Sequence, residues 1–598
     1  MKRFHIMLAV TAAMILAFTA GCKKNTNDAE SASDASSDSA ASVAASVVSL
    51  EVAAAADNAP EYTERDLDGT YDASDAVTVD LSALTDGYTI TEAGIYVFSG
   101  TLSDGQILVN AGEDDKVQIV LSGASVTNAD GPAIYVVCAD KVFVTAAEGT
   151  ENALSDGASY AADSFGNTPD GCIFSKCDLT VNGTGVLTIN GNYKFGIVGK
   201  DDVVLADVTL TVTAKSDGVC GKDSVAVNSG TIQITAGGDG IVSENTDDAE
   251  KGVVQIDGGT ITIVTGGASA DSAKGIKASC AVYLNGGDLT IDAEDDAVHS
   301  GGTLSVTGGV LTAASGDDGL HADDTATFSG GTVTVTESYE GIEAGGIAIA
   351  GGTITITASD DGLNAAGGSD SSADNGPRGG DNFATDADRW IVISGGTLTI
   401  RASGDGIDSN GSLSVTGGVT LISGPENSAN GALDSGTDAV ISGGVVIAAG
   451  STGMAETFSS ESTQCSLLYT YGSVQSAGTL LTLTAEDGTV LASYAPTATY
   501  QSVVISTPEM TQGDVYTLFS GGSVSGGVLS GGTTIASVTL SGVSTTVGSG
   551  GSFGTNDFGT GDRGGQSVPG DQSVPDGQSV PGGQSGPGGQ DFGGGNRR

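Results

Sequence analysis

Acidic residues recur at regular intervals in the middle of this chain of 598 residues. Each is followed by Gly, or by Ala in one repeat, and then by an apolar residue. The steps between residues 296 and 361 are 22, 22 and 21 residues. Because a repeat of this length stacks equivalent side chains above one another, we expect a column of carboxylates, the acidic column. Its members are Asp217, Asp239, Asp296, Asp318, Glu340, Asp361 and Asp405.

The acidic column predicts a bound cation. Carboxylates about 5 Å apart repel by about 3 kcal/mol per pair at an effective dielectric constant near 20, so the column needs a compensating charge. A hard divalent cation with oxygen ligands supplies one, and Ca²⁺ tolerates the irregular geometry of turns. The alternative is that Asp-Gly only makes a good turn and the carboxylates point to solvent. The candidate Ca²⁺ ligands are Asp295, Asp296, Asp317, Asp318, Asp323, Glu340, Asp360, Asp361 and Asp405.

A second set of polar residues lies three positions beyond the marker position that the acidic residue occupies in most repeats, and is here called the polar column. Because the apolar residue before each member should point inward, strand alternation is expected to turn this column outward. A linear polymer could lie along such a strip of hydrogen-bonding groups. Its two histidines could be a metal pair, an acid/base or a solvated surface. The members are Lys277, His299, His321, Glu343, Asn364, Asp408 and Asp434.

The elements that position these columns are short strands. Alternating runs such as TVTVT (332–336) and TITIT (353–357) have a period of two and β-branched residues, which are typical of strands. Gly-Gly pairs repeat with the same steps as the acidic residues. A unit of about 22 residues cannot bury its own apolar face, but stacked units can. We therefore predict an all-β fold, a right-handed parallel β-helix with about 22 residues per coil.

The rest of the chain predicts a secreted protein with unstructured ends. Residues 1–21 resemble a lipoprotein signal peptide that leaves Cys22 for lipidation, although Thr19 departs from the usual pattern and plain secretion is the alternative. The Ser-, Ala- and Asp-rich residues 22–65 are expected to be a flexible tether. The expected β-helix covers 66–453, a small C-terminal β cap covers 454–548, and a disordered Gly-rich tail with QSVP repeats covers 549–598.

Composition excludes one class of partner. The chain has 74 Asp and Glu against 21 Lys and Arg, a net charge of −53, so it repels nucleic acid. We expect a monomer on the cell surface, held to the membrane only by its lipid. Cys172 and Cys177 fit no zinc motif, and we expect buried apolar thiols or, alternatively, a disulfide.

Insertions indicate the working face of the repeat. The step from Asp361 to Asp405 is 44 residues, and most of the addition is an Asp-rich polar loop from 367 to 389. Smaller insertions fall at 243–251 and 266–273. All three adjoin the acidic column, and insertions collected on one edge of a solenoid usually mark its binding face. Trp390, the one Trp of the chain, lies at the base of the large loop and joins the binding candidates.

Three segments resemble a known family. They are AGIYVFSGTLSDGQILV (93–109), GPAIYVVCADKVFVTAAEGTENALSDG (131–157) and the run from DDGLHADD to GLNAAGG (317–368). The resemblance spans about Asp66 to Gly522, and the family is the bacterial secreted carbohydrate-binding domain family. It implies a right-handed parallel β-helix similar to pectate lyases, bound Ca²⁺, and attachment to plant-cell-wall polysaccharide such as cellulose-like glucan or polygalacturonate. Individual sugar contacts do not carry over from the resemblance.

Together these features predict a non-catalytic, calcium-binding cell-surface protein that binds plant-cell-wall glucan or pectate, with the polar column and Trp390 as candidate contacts. No catalytic residue is assigned. A calcium-dependent polysaccharide lyase is the enzymatic alternative, but it needs a base beside the cation, and only Lys274, Lys277 and Arg401 are near the corner in sequence. A structural adhesin or surface spacer is the third hypothesis.

Overall fold

The computed structural model describes residues 58–245, 247–267, 272–366 and 385–548. These ranges fall in one compact unit that begins at Ala54. The predicted signal peptide, Cys22, the tether up to residue 57, most of the large loop and the QSVP tail lie outside the described residues. No helix in the described ranges is long and apolar enough to span a membrane.

The described residues contain a four-residue α-helix, α1 (Glu64–Leu67), a 3₁₀ helix (Leu81–Ala83) and strands β1 to β46. The strands up to the end of the coils are β1 Val77–Asp80, β2 Gly87–Ile90, β3 Gly94–Leu102, β4 Gln106–Asn110, β5 Lys116–Thr127, β6 Ile134–Cys138, β7 Lys141–Ala146, β8 Glu151–Ser155, β9 Gly171–Ser175, β10 Asp178–Asn182, β11 Val186–Gly191, β12 Phe195–Gly199, β13 Asp202–Ala206, β14 Val208–Ala214, β15 Val219–Gly221, β16 Ser224–Val227, β17 Gly230–Ala236, β18 Ile241–Ser243, β19 Val253–Ile256, β20 Thr260–Thr265, β21 Ile276–Ala278, β22 Ala281–Leu284, β23 Asp288–Ala293, β24 Val298–Ser300, β25 Thr303–Val306, β26 Val310–Ser315, β27 Leu320–Phe328, β28 Thr332–Glu337, β29 Ile342–Ile349, β30 Thr353–Thr357, β31 Leu363–Ala365, β32 Trp390–Ile393, β33 Thr397–Arg401, β34 Ile407–Ser409, β35 Ser412–Ser423, β36 Asp434–Ser435 and β37 Ala439–Gly450. The remaining strands are β38 Ser466–Gln475, β39 Leu481–Ala485, β40 Val490–Tyr494, β41 Tyr500–Ser506, β42 Val515–Ser520, β43 Ser523–Ser525, β44 Val528–Ser530, β45 Thr533–Thr539 and β46 Ser544–Gly548.

Strands β1 to β37 wind into coils whose parallel strands form three stacks. The corner stack contains the short strands that follow the acidic residues, such as β21, β24, β31 and β34. The second stack contains β19, β22 and β25, and the third contains β20, β23 and β26. Longer strands such as β27, β29 and β35 turn the corner and belong to two stacks. The predicted parallel β-helix is therefore confirmed.

Register along the corner stack reproduces the repeat read from the sequence. Ile276 pairs with Val298, which pairs with Leu320, and Leu320 pairs with Ile342, so each step is 22 residues. The next two steps are 21 and 44 residues, to Leu363 and then across the large loop. All of these apolar residues are fully buried in one continuous core along the coils. Stacking thus gives each small coil the apolar cover that it cannot make alone.

A close contact explains why Gly follows most of the acidic residues. A Cβ built on Gly218 would lie 2.4 Å from Cγ2 of Ile234 in the third stack. Equivalent contacts of 2.3 to 2.4 Å occur at most coils, always against Ile or Val. Where Ala297 replaces this Gly, the facing position holds Ala313, which pairs with Ile291 in the ladder. A larger residue at the Gly position is therefore accompanied by a smaller residue at the facing position, so that the total side-chain volume stays nearly constant, as close packing requires.

This compensation of volume makes a measurable prediction. Gly218→Ala is expected to cost about 1–3 kcal/mol because it overpacks the coil against Ile234, and Ile234→Ala is expected to cost about 2–5 kcal/mol because it opens a cavity. The double variant should be destabilised by about 1–2 kcal/mol less than the sum, since the new methyl fills part of the cavity. Denaturant unfolding of the four proteins measures this coupling. If the free-energy losses of the two single variants add up to that of the double variant, the two positions do not share one packing space.

The residues before the first coil pack against the solenoid. The Asp66 carboxylate is fully buried and lies 2.8 Å from Nζ of Lys141. Burial raises the pKa of Asp66, but the bonds from Lys141 and two Thr hydroxyls outweigh it, so the net pKa is lower than usual. The Tyr62 hydroxyl donates to Asp257, 2.8 Å away. The sequence predicts that residues 58–65 are the end of a flexible tether. Instead they run along the coils, held by the contacts of Tyr62 and of the adjacent Asp66.

Antiparallel pairing begins after β37. Strand β41 pairs antiparallel with β37 and with β38, and β46 joins β38 in parallel. A separate four-stranded antiparallel sheet runs in the order β40-β39-β42-β45, and β43 and β44 form a hairpin. This region has its own apolar cluster, which includes Leu483, Tyr500 and Leu518. It occupies the end of the last coil, whose open strand edge would otherwise be free to pair with another chain.

The six cysteines in the described residues are all free thiols. Cys172 is fully buried in the main core, and Cys177 is packed against it and partly buried. Of the two predictions, the buried apolar thiol is therefore found and the disulfide is not. Burial raises the pKa of Cys177 to about 11 and that of Cys172 well above its usual value, so both stay protonated and unreactive at neutral pH.

Candidate functional site

The polar column is aligned as the sequence predicts. Strand pairing in the corner stack places Lys277 beside His299 and His299 beside His321. The same register continues through Glu343, Asn364, Asp408 and Asp434. One polar side chain from each of seven successive coils therefore lies in a single line parallel to the solenoid axis.

The line is less exposed than predicted. His321 and Asn364 are only 1% and 5% exposed, and His299 is 9% exposed. The two imidazole rings stack with centroids 4.7 Å apart and planes 8° from parallel, because they occupy equivalent positions on adjacent coils and paired strands are about 4.8 Å apart. Lys277, Glu343, Asp408 and Asp434 are partly exposed. The polar column points away from the core as expected, but His299, His321 and Asn364 are covered by their neighbours rather than open to solvent.

The acidic column is part of the backbone ladder. Oδ1 of Asp217 accepts the backbone N–H of Asp239, 3.0 Å away, one coil further on. Oδ1 of Asp296 accepts the N–H of Asp318 at the same distance. Asp361 accepts the N–H of Asp405 in the same way at 2.5 Å. From Asp239 to Asp405 the column residues are at most 8% exposed, so the alternative of carboxylates that point to solvent is wrong for them.

Lysines compensate the acidic column in its first coils. Nζ of Lys274 lies 2.6 Å from Asp296 and 3.2 Å from Asp295, and its side chain is 4% exposed. Nζ of Lys277 lies 2.5 Å from Glu244 and 3.6 Å from Asp239. Burial lowers the pKa of Lys277, but these carboxylates raise it more, so the net pKa is above the usual value. At these coils the compensating charge comes from the chain itself, which the sequence analysis did not foresee.

Histidines take over this role in the middle coils. Nδ1 of His321 lies 2.8 Å from Asp318 and 3.3 Å from Glu343, and its Nε2 lies 3.2 Å from Asp323. Burial lowers the pKa of His321, but these three bonds raise it well above its ordinary value. We therefore assign His321 as an imidazolium. Both of its ring nitrogens face carboxylate oxygens, which leaves neither lone pair available to a transition metal.

The preceding coil repeats this arrangement. Nδ1 of His299 lies 2.8 Å from Asp296. Burial raises the pKa of Asp296, but the bond from His299 and the charge of Lys274 outweigh burial and hold this pKa well below its usual value. The Asp296 carboxylate is thus ionised. It is also close to Asp295 and Asp317, with one oxygen of each within 4.8 Å of the others.

Three acidic side chains meet in the last coils. Oxygens of Asp361, Asp405 and Asp408 lie within 4.8 Å of one another. Within the described ranges, no Lys, Arg or His forms an ion pair with Asp361 or Asp405. Burial and repulsion from neighbouring carboxylates raise the pKa of Asp361 to about 9 and that of Asp405 to about 8. This group, the carboxylate triad, is where a cation would relieve the most repulsion.

Two further predicted ligands lie beside these groups. Burial raises the pKa of Glu340 well above its ordinary value, and its carboxylate accepts a hydrogen bond from Nδ2 of Asn364, 2.7 Å away. Asp360 directly precedes the carboxylate triad in sequence, and its charge contributes to the raised pKa of Asp361. Both therefore border the triad without being among the three carboxylates that meet there.

Two candidates lie away from the columns. Trp390 begins β32 in the second stack, and its indole ring lies over Gly346, 2.4 Å from where a Cβ would be. Arg401 ends β33 in the third stack, where it pairs with Thr357 and Ser423. Arg401 is near the corner in sequence but on another face of the coil, so it does not border the carboxylates. The sequence alone does not show which face Arg401 occupies, because that depends on where each strand ends and the coil turns.

The corner stack also holds aromatic residues that the sequence analysis missed. The outward line that becomes the polar column begins with Leu108, Tyr135, Phe174 and Val198. Tyr135 and Phe174 are each 2% exposed, with edge-to-face rings 5.7 Å apart. Residues 156–170, between β8 and β9, form a loop beside them. An insertion on the same edge of the solenoid was the signal available in the sequence.

Comparisons with known proteins agree with these features. A family model described as carbohydrate-binding domain-containing protein matches residues 85–271, 264–319 and 317–511. A protein of that description from Acetivibrio thermocellus is 40% identical over 126 residues, 21% of this chain and 44% of the relative. The match thus spans less than half of that relative. A solved structure, the polysaccharide lyase-like protein from C. thermocellum as a gadolinium derivative, is 31% identical and covers 42% of this chain and 96% of its own, with a TM-score of 0.35. At that score the structural likeness supports no inference.

Proposed function

We propose, from the premise that this chain belongs to the carbohydrate-binding domain-containing protein family, that its β-helix binds a polysaccharide without cleaving it. The observation that carries the proposal is the polar column, which presents one polar side chain per coil over seven coils in register. Coils about 4.8 Å apart make a ladder of donors and acceptors for a linear polymer. Its partly exposed members, Lys277, Glu343, Asp408 and Asp434, are the parts that a polymer can reach.

Calcium is proposed as the cofactor of the last coils. The carboxylate triad of Asp361, Asp405 and Asp408 offers hard oxygen ligands in one small volume, which suits Ca²⁺. Bound there, the ion would neutralise the buried carboxylates and stiffen the coils beside the large loop. The carboxylates near Lys274 and His321 already have cationic partners and are weaker candidates for the ion.

The polysaccharide is proposed to be a plant-cell-wall glucan or polygalacturonate. A net charge of −53 disfavours direct capture of an anionic polymer. Pectate binding would therefore need Ca²⁺ between the corner carboxylates and the uronates, whereas a neutral glucan needs no bridge. The protein is proposed to be a monomer. Its predicted signal peptide and lipidation at Cys22 would tether it at the cell surface, where it can contact these polymers.

The contacts of the basic residues favour binding over lyase chemistry. A lyase base must take a proton from the sugar. Lys277 has a raised pKa and is paired with Glu244, so it stays protonated. Lys274 is buried against Asp296, and Arg401 lies on another face. None of the three residues predicted as possible bases is therefore placed as a free base beside the carboxylates.

Co-sedimentation and absorbance measured together test this function. The protein is mixed with insoluble cellulose or with polygalacturonate, in calcium or in chelator. We expect it to be depleted from solution by polysaccharide, with no rise in the ultraviolet absorbance that an unsaturated uronide would give. A rising absorbance would instead establish a lyase. No depletion by either polymer, with the protein folded, would contradict carbohydrate binding and favour a surface spacer.

A further inference from the structure

A small cleft lies at the first coils of the corner stack, at the aromatic start of the outward line. Its volume is about 140 Å³. Tyr135 lines its floor, and the loop 156–170 supplies Tyr160 and Phe165. Gln106 and Asp130 line the same cleft. Aromatic surface with a few convergent polar groups is the usual composition of small-ligand sites.

The loop that closes this cleft is held in place before any ligand arrives. The Tyr160 hydroxyl lies 2.6 Å from the Asp156 carboxylate and 2.9 Å from the carbonyl oxygen of Gly171, and its single proton is shared between these two acceptors. The Tyr135 hydroxyl donates to Asp163, 3.1 Å away, in the middle of the loop. Tyr160 also stacks on a neighbouring Tyr ring, with centroids 4.4 Å apart. A site fixed in this way loses little entropy when it binds.

One apolar side chain of the loop is unusually exposed. Phe165 is 42% exposed, and it is the only aromatic residue among the exposed large apolar side chains of the described ranges. Its ring meets Tyr135 edge to face at 6.0 Å, so one face is open beside the cleft. Within the described residues, the side chains of Gln106 and Asp130 make no hydrogen bond to the protein. They are therefore available to a ligand.

We propose that this cleft, the loop cleft, binds one neutral sugar residue of the polysaccharide, an inference that rests on the proposed carbohydrate-binding function. The open Phe165 ring fits the apolar C–H face of a pyranose. The Asp130 carboxylate and the Gln106 amide can accept hydrogen bonds from sugar hydroxyls. Asp130 and Asp163 line the loop cleft and no Lys or Arg does, so a uronate would be repelled there. The chemical class selected is thus a neutral glucan rather than pectate.

Titration calorimetry with cellohexaose and with a galacturonate hexamer tests the loop cleft. The proteins are the full chain and its Phe165→Ala and Asp130→Asn variants, with Val310→Ala as the control for loss of an exposed apolar side chain, since Val310 is 44% exposed on another stack. We expect each loop variant to bind cellohexaose about tenfold more weakly, as aromatic and polar anchors usually require. The control should bind like the wild type. Thermal melting checks that all four proteins stay folded.

The outcomes separate this inference from the function on which it rests. Wild-type binding that Phe165→Ala and Asp130→Asn leave unchanged would overturn the loop cleft while carbohydrate binding stands. Binding of the galacturonate hexamer in preference to cellohexaose would overturn the choice of a neutral sugar. Binding of neither oligosaccharide, together with no depletion by insoluble polymer, would overturn both proposals.

Discussion

Replacing Lys274 by Met is expected to lower the free energy of unfolding by about 3–5 kcal/mol, the cost of removing one partner from a buried ion pair. The Lys274 side chain is 4% exposed and Asp296 only 2%, so water cannot replace the lost ammonium, and among the described side chains His299 alone still pairs with the Asp296 carboxylate. Met keeps the length and most of the volume of Lys, so the loss reports the charge rather than a cavity. Asp295, 3.2 Å from the same ammonium, loses its partner as well.

Denaturant unfolding measures this loss, and an exposed pair supplies the control. Lys116 lies 2.8 Å from Asp140, with side chains 50% and 45% exposed. Lys116→Met should change stability by less than about 1 kcal/mol, because exposed ion pairs contribute little. Equal losses in the two variants would show that Lys274 does not compensate the acidic column.

Calcium is expected to stabilise the protein, and Asp405→Asn is expected to abolish that effect. At free calcium one hundred times the dissociation constant, binding to the native state alone adds about 2.7 kcal/mol to the free energy of unfolding. In chelator the same variant should be no less stable than the wild type. The reason is that burial, and then the charges of Asp408 and Asp434, work against an ionised Asp405. A substitution that is neutral or favourable without the ion and harmful with it identifies a ligand.

Thermal melting of both proteins in calcium and in chelator measures this reversal. Asp75→Asn, at an exposed carboxylate of the first coil region, is the matched control and should keep the full calcium shift. A calcium shift that survives in Asp405→Asn would move the site away from the carboxylate triad. If calcium does not raise the melting temperature of the wild type, the protein has no stabilising calcium site.

The sequence predicts the solenoid and its registers well because both depend on period alone. Steps of 22 residues place Ile276, Val298 and Leu320 in one ladder, and the structure pairs them in that order. Residues at a fixed offset from these apolar positions, such as His299, then all lie on one face of the solenoid. Repeat, alternation and offset are local quantities, so the polar column could be identified before its contacts were known.

Contacts that depend on side-chain reach could not be predicted in this way. Lys274 occupies a position where other coils have an acidic residue, so the acidic repeat is interrupted there. Its ammonium reaches forward one coil to Asp296 and neutralises that carboxylate. Trp390 and Arg401 are near the corner in sequence, but the lengths of the strands place them on other stacks. The aromatic residues at the start of the outward line, such as Tyr135, are in coils where the sequence repeat is less regular. Their role emerges only when the loop 156–170 is seen beside them.

A binding isotherm is the sharpest test of whether the polar column of this family member binds polysaccharide. Full-length protein is titrated onto insoluble cellulose in calcium, beside the variant Asp434→Ala, which removes a partly exposed side chain of the column that is outside the carboxylate triad. We expect saturable binding by the wild type and affinity about tenfold lower in the variant. Its thermal stability should be unchanged or higher, because burial works against an ionised Asp434. Saturable binding that the variant retains in full would contradict the column as the binding surface, and no binding by the wild type to any wall polysaccharide would contradict the function itself.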